Sequence, residues 1–82
     1  MGKPGPDRKV TDVDVLTAIM THYAPAVGTS DVADEVGISR QAVDKYLWDL
    51  EEDGLIRTRR VGQARVWWLT DDGKEWLYEN RT

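Results

Sequence analysis

The chain has 82 residues and no cysteine, so disulfides and thiolate metal sites are excluded and the length supports one small domain. Hydrophobic residues make up 40% and charged residues 32%, a balance that excludes a wholly disordered chain. No apolar run approaches the roughly 20 residues that span a bilayer, and the formal net charge of −4 excludes a uniformly basic surface.

Residues 1–9 mix Gly2, Pro4, Gly5 and Pro6 with charges and read as a flexible N-terminal arm. They lack the apolar stretch of a secretory signal. The folded domain is expected over residues 10–80. Its first helix starts at Thr11, an N-cap with Asp14 three residues on. Val10 and Val15 occupy the positions of a hydrophobic staple. Leu16, Ile19, Met20 and Tyr23 follow at helical spacing, and Pro25 ends the segment. A short extended piece is expected near residues 26–28.

The second helix is expected to start with Thr29 or Ser30 as cap, with Asp31 at the positive end of the helix dipole. Val32, Ala33 and Val36 form its apolar stripe, and Gly37 supplies the left-handed residue that closes it. The third helix follows almost at once, with Ser39 as cap. Val43, Leu47 and Leu50 share one face with Tyr46 at its edge, while Gln41, Lys45, Trp48 and Glu52 lie opposite. Gly54 closes it. Two helices joined by Gly37-Ile38-Ser39, with the small Ala33 where they cross, make a helix-turn-helix.

The period then changes. Residues 55–61 and 64–69 are rich in β-branched and aromatic side chains, and Gly62-Gln63 between them suits a two-residue type II′ turn. Strict alternation sends one of Trp67 and Trp68 inward; Trp67, with Leu69, is the expected inward residue. A final short helix is capped by Thr70 or Asp71, weakened by Gly73, and packed through Trp76 and Leu77.

Charge is segregated along this order. Arg57, Arg59, Arg60 and Arg65 lie between Gly54 and Leu69 with no acid among them. The acids gather around Asp31–Glu35, Asp49–Asp53 and Asp71–Glu79. A local positive patch binds phosphate even on a chain whose sum is negative. The acidic excess with few lysines also fits a host with a salt-rich cytoplasm.

The order helix, helix, turn, helix, arginine-rich hairpin, short helix resembles the winged helix-turn-helix of MarR-like and ArsR-like transcriptional regulators and of archaeal phage-repressor-like proteins. The residues that carry the likeness are 32–43 (VADEVGISRQAV), 47–56 (LWDLEEDGLI), 64–70 and Asp72-Gly73. The resemblance implies an α+β fold: a three-helix core, a two- or three-stranded antiparallel wing and a short C-terminal helix. It implies binding of double-stranded DNA, with segment 39–53 in the major groove and wing 57–65 on the backbone. Ser39, Arg40, Gln41, Asp44 and Lys45, with Arg57, Arg59, Arg60, Gln63 and Arg65, are then the DNA-binding residues. Arg40 suits guanine and Gln41 suits adenine, while Lys45 suits a phosphate. Asp44 and Trp48 depart from the family pattern, the first because it repels phosphate.

Other readings of the same residues stand. The hairpin arginines can also be a charged edge that guards against sheet-to-sheet aggregation, though four arginines with no acid among them favour a binding role, and Gln41 and Lys45 can be merely solvated. Trp48 and Trp76 are core, a dimer contact, or an anchor in a winged-helix protein-interaction module. A homodimer through helix 1 and the C-terminal helix is expected, with Trp76 and Tyr78 as candidate contacts. His22 has no second histidine or carboxylate at helix spacing and reads as a surface residue. With no nucleophile–base pair, metal cluster or phosphate-cradling glycine loop, neither an enzyme nor a cofactor is expected. A cytoplasmic location is expected.

Overall fold

The computed structural model describes residues 10–22 and 26–81. The arm expected over residues 1–9, and the Tyr23 and Pro25 assignments, lie outside the described residues.

Helix α1 (Asp12–Thr21) begins at the predicted cap. The Thr11 hydroxyl accepts from the Asp14 N–H at 3.2 Å, and the Asp14 carboxylate accepts from the Thr11 N–H at 2.9 Å. Two otherwise orphaned donors are thereby satisfied. Val15, Leu16, Ala18 and Ile19 make its buried face. Met20, expected in this stripe, is 41% exposed: at 100° per residue it turns well away from the line through Val15 and Ile19.

Strand β1 (Val27–Gly28) leads directly into α2 (Thr29–Val36). The cap of α2 is Gly28, which corrects the expectation of Thr29 or Ser30. Asp31 still serves the helix start, because its Oδ2 accepts from the Gly28 N–H at 3.3 Å. Thr29, freed from capping, accepts instead from the indole Nε1–H of Trp67 at 2.9 Å. Gly37 then turns the chain at φ +80°, and its N–H returns to the Ala33 carbonyl at 2.9 Å. Ser39 caps α3 (Arg40–Glu52) by accepting from the Ala42 N–H at 3.1 Å. Val43, Leu47 and Leu50 are buried against α1 and α2, as their spacing predicts.

Gly54, at φ +82°, releases the chain into the sheet. Strands β2 (Ile56–Val61) and β3 (Ala64–Leu69) pair antiparallel from Ile56↔Leu69 to Val61↔Ala64. Their connection is Gly62-Gln63; Gly62 has φ +64° and Gln63 is not positive, the signs of a type II′ turn. The third strand is β1, paired through Val27↔Trp67 and Gly28↔Val66, so the order is β1-β3-β2. Trp67 faces inward and is 0% exposed; Leu69 is buried beside it.

Helix α4 (Asp71–Asn80) is capped by Thr70, whose hydroxyl accepts from the Gly73 N–H at 2.9 Å and donates to the Gly54 carbonyl at 2.7 Å. Gly73 does more than weaken this helix. A Cβ built there collides with the Leu55 carbonyl, so glycine is what lets α4 press onto the chain entering β2. Leu77 is buried and Trp76 packs partly against the core. The result is the α+β winged helix-turn-helix: three helices and a three-stranded antiparallel sheet, with α4 packed across α1.

Candidate nucleic-acid interface

Ser39 is the extended cap that starts α3. Arg40, Gln41 and Lys45 are exposed there. The turn of the wing approaches from the other side. Between them lies an open cleft of ≈ 680 Å³, where Arg40, Asp44 and Trp48 of α3 meet Gln63 and Arg65 of the wing. A smaller hollow of ≈ 320 Å³ continues from it, lined by Thr29, Arg40, Gln41 and Asp44.

The sheet register sorts the arginines. Residues directly opposite each other across a ladder share a face. The pairs Ile56↔Leu69, Thr58↔Trp67 and Arg60↔Arg65 therefore lie on the face that meets the helices. Arg57↔Trp68 and Arg59↔Val66 lie on the outer face, whereas Val61 and Ala64, next to the turn, line the cleft toward α3. By register Arg60 and Arg65 share the inner face, but of the two only Arg65 lines the clefts with Arg40, Gln41, Asp44 and Gln63. Lys45 and Arg60 lie outside them, and Arg57 and Arg59 alternate onto the opposite face. Arg57 borders a different cleft, among Glu51, Asp71 and Asp72. The expected four-arginine patch is thus two pairs on two faces.

Arg65 is held rather than free. Its guanidinium carbon lies 5.0 Å from the centre of the Trp48 ring, and its Nη1 donates to Thr58 Oγ1 at 3.3 Å. Trp48 in turn meets the buried Trp67 edge-on, with centroids 5.1 Å apart and planes at 79°. Trp48 is 40% exposed. It is part of the cleft wall, a place that the residue pattern alone left open between core, dimer contact and anchor. Thr58, missed in the sequence, was available from alternation: once Trp67 points inward, its cross-strand partner must point the same way.

His22, expected at the surface, is half-buried and lies 3.9 Å from the Asp31 carboxylate, a neighbour outside helix spacing. Among the described residues, no helix is long and apolar enough to cross a membrane.

The family model for FaeA-like proteins matches residues 13–71, from inside α1 to the start of α4. The chain belongs to the FaeA-like family. No curated protein matches the FaeA-like chain in sequence. Its fold is similar to that of the PcaV transcriptional regulator of Streptomyces coelicolor, at TM-score 0.76 and 24% identity over 82% of this chain and 48% of PcaV. It is also similar to BpsR of Bordetella bronchiseptica, whose DNA binding is regulated by 6-hydroxynicotinic acid, at TM-score 0.77 and 20% identity over 94% of this chain and 59% of BpsR. AbsC, a MarR family transcriptional regulator of Streptomyces coelicolor, matches at TM-score 0.74 and 18% identity over 83% of this chain and 48% of AbsC. The FaeA-like chain therefore spans about half the length of PcaV and AbsC, and what it shares with these regulators is their winged-helix fold.

Proposed function

We propose that this FaeA-like protein binds double-stranded DNA sequence-specifically and acts as a transcriptional regulator of the repressor type. One observation carries the reading: the exposed first turn of α3 and the wing turn open onto a single cleft lined by Arg40, Gln63 and Arg65. Segment 39–53 enters the major groove, where Arg40 pairs with guanine and Gln41 with adenine through bidentate hydrogen bonds. Lys45 and the N–H groups at the Ser39 cap meet phosphates. Asp44, in the same wall, repels phosphate and accepts from a cytosine amino group instead. The wing, 57–65, lies along the backbone with Arg60, Arg65 and Gln63 toward the duplex. Likeness of fold to regulators such as AbsC supports the same reading.

Palindromic sites call for two-fold dimers. The proposed contact is through α1 and α4, which pack together and carry the exposed Met20 and Tyr78. Light scattering at increasing concentration tests it, and a monomer throughout removes it.

The deciding experiment is selection of bound duplexes from a random pool, followed by affinity measurements from low to molar potassium salt and amide shifts on the selected duplex. A recurring motif, with shifts at Arg40, Gln41 and Gln63, is expected. No enriched motif, or a silent cleft with shifts confined to Trp76 on adding a protein partner, overturns the reading in favour of a docking module.

A further inference from the structure

Arg60 and Arg65 face each other directly across the β2–β3 ladder, where like charges repel. The structure treats them differently. Arg60 is exposed, whereas Arg65 is drawn over the Trp48 ring and tied to Thr58. Thr58 is itself oriented, because its hydroxyl donates to the Val66 carbonyl at 2.9 Å. Trp48 is braced by the fully buried Trp67. A continuous series of contacts therefore runs from the core, through α3, to the free part of the wing. That part needs support, because β1 pairs with β3 only at Val66 and Trp67 and leaves the ribbon beyond as two strands. A guanidinium held over an indole, with one N–H donated to Thr58, keeps its remaining N–H groups for an anion.

We propose that Trp48 is a positioning residue for DNA binding. It holds the Arg65 guanidinium at the cleft and so sets the wing at a defined angle to α3. This rests on the DNA-binding reading above and adds how the two contacting elements are kept in register. Arg65 unstacked samples many rotamers, and ordering it on each binding event lowers affinity. Trp48 carries no charge, so its contribution is separable from phosphate contacts, which appear in the salt dependence.

The test uses the full chain with Trp48→Leu, which keeps apolar packing against Trp67 but removes the aromatic face, and Trp48→Phe, which keeps a face. Arg65→Ala is the charge control. Two quantities are read: the ring-current shift of the Arg65 side-chain resonances in the free protein, and affinity for the selected duplex as a function of salt. Trp48→Leu is expected to abolish the ring-current shift and weaken duplex binding about fivefold, the size of one exposed cation–π contact, with the salt slope unchanged. Trp48→Phe restores most of both. Arg65→Ala reduces the slope by about 0.9. Wild-type affinity in a folded Trp48→Leu protein overturns the role of Trp48 alone. Failure of the wild-type chain to bind any duplex overturns the functional reading, and the role of Trp48 with it, while the ring-current shift still reports whether the stack forms. Should Trp48→Leu not fold, loss of affinity in a folded Trp48→Phe protein equal to that of Arg65→Ala, with a full ring-current shift, overturns the proposal.

Discussion

On the face of the β2–β3 ribbon that meets the helices, Ile56, Trp67 and Leu69 are buried, and Arg60 and Arg65 occupy its free end. On the other face, Arg57 and Arg59 stand across from Trp68 and Val66. Both faces are built from the same twelve or so residues of alternating sequence, yet one carries the buried core and the other only half-buried Val66 and Trp68 beside exposed arginines. A charge count along a strand is therefore not a charge patch. Pleating divides it by two, and the register decides which half meets the helix that would read a groove.

The largest expected effect separates the two tryptophans. Trp67→Ala removes a fully buried ring and is expected to cost about 3–5 kcal/mol, whereas Trp68→Ala on the outer face costs about 1 kcal/mol or less. Denaturant melts of both variants check this, and equal losses break the assignment of faces. Next in size is Gly73→Ala, which drives a methyl group into the Leu55 carbonyl at the foot of the ribbon. Overpacking of this kind costs about 2 kcal/mol, seen as a fall in Tm of about 8–16 °C for a domain of this size. An unchanged Tm means α4 does not press on the ribbon as described.

Thr29→Val isolates the inner face further, because it leaves the Trp67 indole N–H without its partner. The expected loss is about 1 kcal/mol, accompanied by a shift of the Trp67 indole proton resonance. The smallest effects concern the charges. Arg60→Ala is expected to reduce the slope of log affinity against log salt for the selected duplex by about 0.9. Arg57→Ala, beside Glu51, Asp71 and Asp72, is expected to leave it unchanged. The reverse result places the duplex on the outer face of the wing.

The local rules of the chain were legible residue by residue. Thr11, Ser39 and Thr70 cap the helices they precede. Gly37 and Gly54 end helices in the left-handed conformation, and Gly62 opens the hairpin. These follow from sequence because each satisfies backbone groups within about four residues of itself. Periodicity likewise placed Val43, Leu47, Leu50 and Trp67 in the core.

Contacts between residues far apart in the chain obeyed no such rule. Gly28 is the α2 cap, and Thr29 beside it accepts from the Trp67 indole, 38 residues away. Gly73 acquired its importance from the backbone of Leu55, and Trp48 from Arg65 and Trp67. A side chain with one nearby partner is constrained before the chain folds. One whose partners lie on three elements takes its role only when packing brings those elements together, and that is where the candidate DNA-binding surface of this protein was decided.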